Sequence, residues 1–344
     1  MASREIRLPA GHPAVSLGQI GVLLINLGTP DGTSYWPMRR YLKEFLSDRR
    51  VIEVNRVAWW FILNGLVLTT RPQRSGHAYE RIWNRELDES PLRTITRAQA
   101  DKLAALMAGE PRIQVAWAMR YGAPAIGPAI ERLKAEGCDR ILLFPLYPQY
   151  GAATVATALD KAFDGLRTMR WQPAIRTVPP YHDHPAYIDA LARSVRAHTD
   201  EIGWAPDVII ASFHGLPEAC LSKGDPYHCH CQKTTRLLRS ALALPEDKLM
   251  ISFQSRFGRA EWLKPYTDDK VAELARSGAK NLLVITPGFA ADCVETLEEI
   301  AIGTRAVFID NGGANFSLVP CLNDSAESVA MLNEIARREL LGWL

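Results

Sequence analysis

Short apolar runs occur in three pairs along the chain, in the same order in each half, and each run ends in a glycine or proline turn. The pairs are VLLINLGTP (22–30) with VIIASFHGLP (208–217), QVAWAMRYGAP (114–124) with MISFQSRFGRA (250–260), and EGCDRILLFPLYPQY (136–150) with SGAKNLLVITPGFA (277–290). Continuous aliphatic runs separated by helical patterns are typical of buried parallel strands in βαβ units. The pattern predicts an α/β fold with two Rossmann-like, doubly wound parallel-sheet domains.

The first half also contains an insertion between its first two runs. About 50 more residues separate those runs in the first half than in the second, and we assign the difference to residues 31–90. The predicted units are a first domain, a second domain and a C-terminal amphipathic helix that packs back on either domain, at residues 1–180, 181–322 and 323–344. Open parallel sheets bind ligands beyond the carboxyl ends of their strands, so we expect a ligand cleft between the domains, lined by the repeated turns.

One segment of the insertion is strongly apolar. VAWWFILNGLVLTT (57–70) runs without a charge between Arg56 and Arg71. It is too short to cross a bilayer, which takes about 20 residues in a helix. We expect the insertion to carry this segment out of the first domain without spanning a membrane.

Composition and charge narrow the class of protein. The 344 residues are 47% hydrophobic and 23% charged, and the formal charge of +2 comes without a long basic run. Nothing in this charge pattern indicates binding to nucleic acid. The six cysteines are unevenly spaced, and the start of the chain lacks the apolar core of a secretory signal, which favours a reducing, cytoplasmic location.

His214 is the first candidate for chemistry. It ends an apolar run directly before Gly215 and Pro217, so its side chain would point into the expected cleft. A histidine there could act as a base or as a metal ligand, or could only make a structural hydrogen bond.

An acidic pattern in PGFAADCVETLEEI (287–300) supplies a partner. Asp292, Glu295 and Glu299 are spaced so that an α-helix would place their carboxylates on one face. The helix dipole alone explains Asp292 and part of Glu295, and solvated acidic faces are common. With His214, however, Glu295 would make an open coordination sphere, which suits a metal in transit.

A cysteine- and histidine-rich stretch, ASFHGLPEACLSKGDPYHCHC (211–231), gives a weaker signal. Its spacings match neither a structural zinc site nor a common iron–sulfur motif. We interpret Cys229 and Cys231 as residues at the start of a helix, with a solvent-facing thiol. Cys138 and Cys321 are expected to be buried packing residues.

Basic and aromatic residues at the other turns are candidates for the cleft walls. Arg120 and Tyr121 could pair with acidic groups of a ligand and lie against a flat ring, although an arginine at a strand end is often only part of a surface salt bridge. Tyr147 and Tyr150 lie at a third turn. Trp262 could belong to the core or to the cleft wall.

A series of motifs in fixed order closely resembles the ferrochelatase family, whose members insert ferrous iron into a porphyrin. The likeness runs from about residue 20 to residue 340 and rests on LLINLGTP, YLKEFLSD, YERIW, RYG, FPLYPQY, SFHGLP, GDPY, FQSRFG with EWLKPYTD, and PGFAADCVETLEEI. The family's fold, two Rossmann-like domains with a cleft between them, agrees with the repeats. The resemblance implies a lyase-class chelatase that converts protoporphyrin IX and Fe²⁺ to protohaem and two protons, the last step of haem biosynthesis.

The resemblance also implies roles for the candidate residues. His214 and Glu295 match the family's catalytic pair, which are its iron ligands. Asp292 and Glu299 match the further acidic positions, which form a path for protons or metal.

The walls and the mouth of the porphyrin cleft have counterparts as well. Arg120, Tyr121 and Trp262 match cleft positions of the family, and we place Tyr150 with them. The apolar segment 57–70 corresponds to an active-site lip, for which peripheral contact with the inner membrane is implied.

Three departures from the family pattern limit what is carried over, and one is that the start of the chain shows no organelle-targeting segment. Cys293 stands where many members have histidine, so no second ligand or proton carrier is implied there. Members with a [2Fe–2S] cluster use a cysteine-bearing tail and a cysteine just after PQY, whereas residues 151–153 are Gly-Ala-Ala and the sequence ends at Leu344. We therefore expect no [2Fe–2S] cluster and no retained cofactor, with Fe²⁺ as a substrate, and the relatives that fit best are bacterial.

Two alternatives stay open from the sequence. One is a related chelatase that uses coproporphyrin or another metal, although the Trp-rich lip argues against a highly carboxylated substrate. The other is a non-catalytic tetrapyrrole-binding module, although bilobal binding proteins normally carry export signals. The sequence does not assign base and metal ligand between His214 and Glu295.

Overall fold

The fold is seen in a computed structural model that describes residues 9–12, 15–258 and 260–344. The prediction of a cytoplasmic location rests partly on the start of the chain, and part of that start lies outside these residues. Arg259, in the second repeated turn, also lies outside them.

Two parallel sheets of four strands each form the framework. The first sheet has the spatial order β2-β1-β3-β4, with β1 at Gln19–Gly28, β2 at Ile113–Tyr121, β3 at Cys138–Pro145 and β4 at Ala174–Thr177. The second has the equivalent order β6-β5-β7-β8, with β5 at Val208–His214, β6 at Leu249–Gln254, β7 at Asn281–Ile285 and β8 at Asn315–Leu318. The predicted α/β fold with two doubly wound parallel sheets is confirmed. The six apolar runs correspond to β1, β2 and β3 in the first half and to β5, β6 and β7 in the second.

The predicted strands are apolar because helices cover both faces of each sheet. Residues 20–26 of β1 and 208–213 of β5 are buried. In contrast, β4 and β8 are four-residue strands at the sheet edges, with side chains that are exposed or half-buried. Such short edge strands carry little periodic signal, so the sequence pattern did not predict them.

Helices follow almost every strand. The α-helices are α1 (Tyr35–Ser47), α2 (Arg56–Ile62), α3 (Leu68–Glu80), α4 (Pro91–Leu106), α5 (Ile126–Ala135), α6 (Thr157–Arg167), α7 (Pro185–Ile202), α8 (Glu218–Ser222), α9 (Tyr227–Leu242), α10 (Thr267–Arg276), α11 (Arg305–Asp310) and α12 (Ala326–Glu339). The π-helices are π1 (Leu63–Val67), π2 (Ala152–Ala156) and π3 (Glu295–Thr304). Since π-helical segments are rare and are frequent at functional sites, π3 is of particular interest.

The inserted segment after β1 is helical and amphipathic. Asn55 starts α2, because its side chain accepts hydrogen bonds of 3.1 Å from the N–H groups of Val57 and Ala58. Trp59 and Leu63 are buried in a cluster that also contains residues of α1 and α3. The insertion therefore has its own small core on one side.

The opposite side of α2 and π1 leaves large apolar residues in solvent. Val57, Trp60, Phe61, Ile62 and Leu66 are all exposed. In the part of the chain that the structure describes, no helix is both long and apolar enough to cross a membrane.

The two sheets share one large hydrophobic core. Leu24 and Phe144 from the first sheet belong to the same cluster as Phe213 and Leu283 from the second. Helices α7 and α12 contribute to this cluster and contact each other. The sheets are thus held in a fixed relation by continuous packing.

The C-terminal amphipathic helix predicted from the sequence is present as α12. Ser325 caps it, since its Oγ accepts the N–H of Ser328 at 3.1 Å. Its buried face contacts α4, which follows the insertion, and α7, which precedes β5. The domain limits at residues 180 and 322 stay predictions.

Gly28, at the end of β1, lets the first two strands meet closely. Its φ is +111°, and a Cβ there would lie 1.9 Å from the carbonyl oxygen of Tyr121. Gly28→Ala should therefore lower the free energy of unfolding by about 3 kcal/mol or more, as measured by chemical denaturation. In the control Gly127→Ala the new Cβ meets nothing within 4 Å, so stability should rise by at most about 1 kcal/mol. Equal effects of the two substitutions would contradict this account of the strand ends.

Candidate active site

His214 lies at the carboxyl end of β5, as the sequence predicted, and its side chain is half-buried. Its Nδ1 lies 2.7 Å from the carbonyl oxygen of Gly215. A carbonyl can only accept a hydrogen bond, so Nδ1 donates, and in the neutral ring the lone pair stands at Nε2. His214 therefore presents a nitrogen that can accept a proton or bind a metal.

Trp262 packs against the turn that follows His214. A Cβ on Gly215 would lie 3.1 Å from Cε3 of the indole, and Nε1 donates to the carbonyl of Phe257 at 2.8 Å. Trp262 and Pro217 form an isolated β-bridge. The indole is half-buried, so part of its surface is open to a ligand beside His214.

Gln254 connects the end of β5 to Glu295. It pairs with His214 across the β5–β6 register, and its carbonyl accepts the N–H of Gly215 at 2.8 Å. Its side-chain Nε2 donates to the carbonyl of Glu295 at 2.7 Å. The structure therefore brings the histidine and the first residue of π3 to the same edge of the second sheet.

Three carboxylates occupy the first half of π3, and that of Glu298 forms an ion pair with Arg81. Glu295 and Glu299 are both half-buried, and Glu299 accepts a hydrogen bond from the hydroxyl of Ser255. Burial, and then the negative charge of Glu295, raise the pKa of Glu299 from 4.5 to about 7, against the hydrogen bonds from Ser255 and Gln254. Glu299 is thus poised to gain or lose a proton near neutral pH.

Asp292 lies outside this helix, which differs from the single α-helical face expected from the sequence. Its carboxylate accepts hydrogen bonds from Asn323 Nδ2 at 2.7 Å and Thr296 Oγ1 at 2.8 Å, and only 6% of the residue is exposed. π3 begins at Glu295, and its i→i+5 hydrogen bonds change the angular spacing assumed for an α-helix. Asp292 therefore anchors the loop before π3, while Glu295 and Glu299 belong to the helix itself.

Arg120 and Tyr121 meet a buried carboxylate instead of open solvent. Arg120 and Thr157 both donate to Asp48, and the Tyr121 hydroxyl donates to the same oxygen at 2.9 Å. Burial opposes ionisation of Asp48, but hydrogen bonds from Thr157, the N–H of Arg50 and Tyr121, with the charge of Arg120, lower its pKa. The pair fixes the end of α1 against β2, and Tyr121 has no exposed surface.

Tyr150 lies near the turn after His214 without being part of its hydrogen-bond network. Its N–H donates to Nδ1 of His230 at 3.1 Å, and its side chain is half-buried. A Cβ on the next residue, Gly151, would lie 4.0 Å from Leu216. The third repeated turn therefore approaches the turn of the second lobe.

Three buried tyrosines lie near Glu295; Tyr147 was a sequence candidate for the cleft walls, whereas Tyr41 and Tyr79 were not predicted. Burial raises the pKa of Tyr41, Tyr79 and Tyr147, and the charge of Glu295 acts in the same direction on each. The hydroxyl of Tyr147 is buried without a hydrogen-bond partner among the described residues. Tyr147 stands in the same turn motif as Tyr150, which was the available signal, whereas Tyr41 and Tyr79 lie in the insertion far from any repeat.

Arg71, at the end of the apolar segment, also reaches this region. Its guanidinium lies 4.5 Å from the ring centroid of Phe257, and its Nη1 is buried without a hydrogen-bond partner in the part of the chain described. Burial and then Arg74 lower the pKa of Arg71, while Glu299 acts in the opposite direction. A cationic group is thus held between the insertion and the second lobe.

The predicted burial or exposure of four cysteines is confirmed. Cys229 is exposed and Cys231 buried at the start of α9, and Cys138 and Cys321 are buried. Across residues 9–12, 15–258 and 260–344, no group of three or more histidine, cysteine or acidic side chains is arranged to hold a metal ion.

The fold and the site together define a two-lobed α/β protein with an imidazole and carboxylates at one edge of its second sheet. Its fold is similar to that of SirB from Bacillus subtilis with Fe³⁺, with a TM-score of 0.55 and 12% identity over 94% of this chain and 96% of that chain. A family model described as Ferrochelatase matches residues 19–340.

Curated relatives agree with the family model. The chain is 58% identical to a ferrochelatase of Agrobacterium fabrum over 344 residues, which is all of both chains. It is 60% identical to a ferrochelatase of Rhizobium meliloti over 333 residues, which cover 97% of this chain and 98% of the relative. The chain therefore belongs to the ferrochelatase family, and the resemblance found in the sequence is confirmed.

The raised pKa of Glu299 predicts a pH-dependent cost to stability. The folded chain keeps this carboxyl protonated up to about pH 7, whereas the unfolded chain ionises it near 4.5, so its contribution to stability falls as pH rises between these values. From roughly pH 5 to pH 8, the free energy of unfolding should fall by about 2 kcal/mol relative to that of Glu299→Gln. Denaturation curves of both proteins across this range measure the difference. Parallel pH dependence of the two would show that Glu299 ionises normally.

Proposed function

We propose that this chain inserts ferrous iron into protoporphyrin IX and releases two protons, the last step of haem biosynthesis. Its membership of the ferrochelatase family supports the reaction. The observation that carries the mechanism is the hydrogen bond from His214 Nδ1 to the Gly215 carbonyl. This bond leaves the Nε2 lone pair available at the end of β5, beside Gln254, whose side chain donates to the carbonyl of Glu295.

Metallation meets two obstacles, because the iron must lose bound water and two pyrrole protons must leave a nearly planar ring. An active site that binds the ring in a distorted shape exposes a nitrogen lone pair and so favours the transition state. We assign Trp262 on the second lobe to the wall that holds the ring. The half-buried indole beside Gly215 supports this role.

His214 and Glu295 then act on the exposed nitrogen and on the iron. The neutral imidazole accepts a pyrrole proton or binds the iron at Nε2, and Glu295 supplies the compensating negative charge. Both assignments fit the geometry. Few, exchangeable ligands allow the iron to pass on to the porphyrin, since a closed four-ligand site would retain it.

Glu299 is the next group on the proton path. Its pKa of about 7 lets it take a proton from the region of Glu295 and return it to solvent. Asp292 was predicted to share this path, but both of its oxygens accept hydrogen bonds from Asn323 and Thr296. We therefore assign Asp292 to holding the start of π3 in place.

Arg71 is a candidate contact for a porphyrin carboxylate. Its buried Nη1 lacks a partner among the described residues, and the guanidinium lies over Phe257 on the opposite lobe. A propionate could satisfy this donor through a charge-assisted hydrogen bond. Arg120 and Tyr121, in contrast, support the cleft by fixing α1 through Asp48.

The substrate assignment rests on the apolar character of the lip. A flat ring with two carboxylates suits this apolar surface better than coproporphyrin does, because coproporphyrin carries more carboxylates. No resident cofactor is required by the mechanism, and residues 151–153 offer no sulfur ligand after Tyr150.

The function is tested by anaerobic incubation of the purified chain with protoporphyrin IX or coproporphyrin and Fe²⁺, followed by absorbance. We expect rapid metallation of protoporphyrin IX and slower metallation of coproporphyrin. His214→Ala should abolish metallation while porphyrin binding, measured by fluorescence quenching, stays close to that of the native chain. Glu295→Gln should lose most of the activity for lack of the carboxylate charge, by a factor of about 100 or more.

The outcomes separate the alternatives. Porphyrin binding without metallation by the native chain would favour a binding module, and faster turnover of coproporphyrin would favour the related chelatase. Loss of porphyrin binding in His214→Ala would assign the histidine a structural role.

We also propose that the lip contacts the cytoplasmic face of the inner membrane. Trp60 and Phe61 expose 59% and 65% of their surface, next to exposed Leu66, although α2 and π1 are too short to span a bilayer. Aromatic rings are favoured at the level of the lipid headgroups. An apolar porphyrin could then enter the site from the membrane without crossing water.

Vesicle flotation tests this contact. Trp60→Ser with Phe61→Ser should reduce the fraction bound to anionic vesicles by about 10-fold or more. The reason is that the double variant loses the two aromatic side chains that would insert among the lipid headgroups. Leu341→Ser is the control, because Leu341 is 70% exposed but lies in the turn after α12, outside the lip. Equal binding of the double variant and the native chain would exclude this surface as the contact.

A further inference from the structure

Gln254 hydrogen-bonds to Glu299, and it also touches both elements of the proposed site. It is the last residue of β6 and lies opposite His214 in the β5–β6 register. Its carbonyl accepts the N–H of Gly215 at 2.8 Å. The backbone of Gln254 therefore fixes the turn that follows the histidine.

The side chain of Gln254 makes the second connection. Its Oε1 accepts a hydrogen bond from Ser212 Oγ at 2.8 Å, and its Nε2 donates to the carbonyl of Glu295 at 2.7 Å. Only 6% of the residue is exposed, so water does not compete freely for these partners. One buried amide thus joins the strand that carries His214 to the first residue of π3.

A chain of hydroxyl groups supports the oxygen of this amide. Ser212 Oγ lies 2.9 Å from Thr267 Oγ1, which lies 2.9 Å from Ser252 Oγ. Each hydroxyl has one proton, and Ser212 uses its proton for the amide oxygen. Thr267 must therefore donate to Ser212, and Ser252 must donate to Thr267.

The carbonyl of Glu295 decides which way this amide points. Because a carbonyl can only accept a hydrogen bond, the NH₂ group faces π3 and the oxygen faces Ser212. A flipped amide would place its oxygen against the Glu295 carbonyl, and two acceptors cannot form a hydrogen bond. The network therefore holds a single orientation, in which π3 is drawn to the β5–β6 edge.

We propose that Gln254 is a positioning residue for the metallation reaction, which sets the start of π3, and with it the Glu295 carboxylate, relative to His214. This inference rests on the proposed roles of His214 and Glu295. Reacting groups must be held close to their productive geometry, and a displacement of about 1 Å can cost a factor of about 100 in rate. Gln254 has this effect without contacting the porphyrin or the iron itself.

Gln254→Met tests the proposal, since methionine has a similar length but neither donor nor acceptor of comparable strength. We expect kcat for iron insertion to fall between about 10-fold and 100-fold, with KM and the dissociation constant for protoporphyrin IX within about twofold of the native values. Porphyrin binding is measured in the absence of iron by fluorescence quenching. Because a partly unfolded sample would also lower the apparent kcat at unchanged KM, kcat is calculated per porphyrin-binding site counted in the same titration. A loss of kcat that persists per site is the readout that general loss of structure would not produce.

Asn26→Leu is the matched control. Asn26 is also buried, at 5% exposure, and its amide donates to Thr96 Oγ1 at 3.0 Å within the first lobe. Both substitutions remove a buried amide and should lower the unfolding temperature, but Asn26→Leu should leave kcat within about twofold of the native value. An equal loss of kcat in both variants, or a native kcat in Gln254→Met, would overturn the proposal.

Ser212→Ala gives a second, milder test if Gln254→Met fails to fold. It keeps the amide of Gln254 but removes the donor to its buried oxygen, so kcat should fall several-fold with porphyrin affinity unchanged. A native kcat in Ser212→Ala would overturn the proposed role of the network. An inactive native chain would instead reject the proposed function, so the two failures are distinguishable.

Discussion

The pairing of β5 with β6 places His214 opposite Gln254, and the geometry of the site depends on that register. Side chains at the ends of parallel strands share one edge of the sheet, so a residue at the end of β6 is a neighbour of the residue at the end of β5. Gly215 leaves space for Trp262 to pack directly on the turn. A shift of register by one residue would move His214 to the other face and separate it from π3.

The protonation behaviour of the site depends on partial burial of its ionisable groups, which leaves each of them some contact with solvent. His214, Glu295, Glu299 and Trp262 are all half-buried, and burial together with the charge of Glu295 raises the pKa of Glu299 to about 7. A group that titrates near neutral pH next to a carboxylate suits the release of protons from a porphyrin. The same openness leaves room for a metal to arrive and depart, which a structural metal site does not allow.

The insertion adapts this framework to an apolar substrate. Its small core and the ion pair between Arg81 and Glu298, 2.8 Å apart, connect it to π3. Asp48 ties the end of α1 to Arg120 and Tyr121. The exposed apolar surface is therefore carried by a segment whose other side is packed against the elements of the site.

The sequence predicted the features that arise from local patterns and missed those that arise from tertiary contacts. Apolar runs gave the main strands and the position of His214 at a strand end, but β4 and β8 are too short and too polar to produce such a run. The spacing of Asp292, Glu295 and Glu299 indicated a helix, yet spacing alone does not distinguish i→i+4 from i→i+5 hydrogen bonds.

Contacts between residues that lie far apart in the chain could not be predicted from the sequence either. Asp48, which binds Arg120 and Tyr121, is more than 70 residues away from them. Gln254 makes its contacts through an amide that has no characteristic pattern in the sequence.

The central claim is that His214 and Glu295 act together on one porphyrin, and a crystal structure of the chain with bound protoporphyrin IX tests it most directly. The account predicts that the ring lies against Trp262, with His214 Nε2 and the Glu295 carboxylate both directed at its central nitrogens. A porphyrin bound at another place, or a ring from which either side chain is directed away, would contradict it.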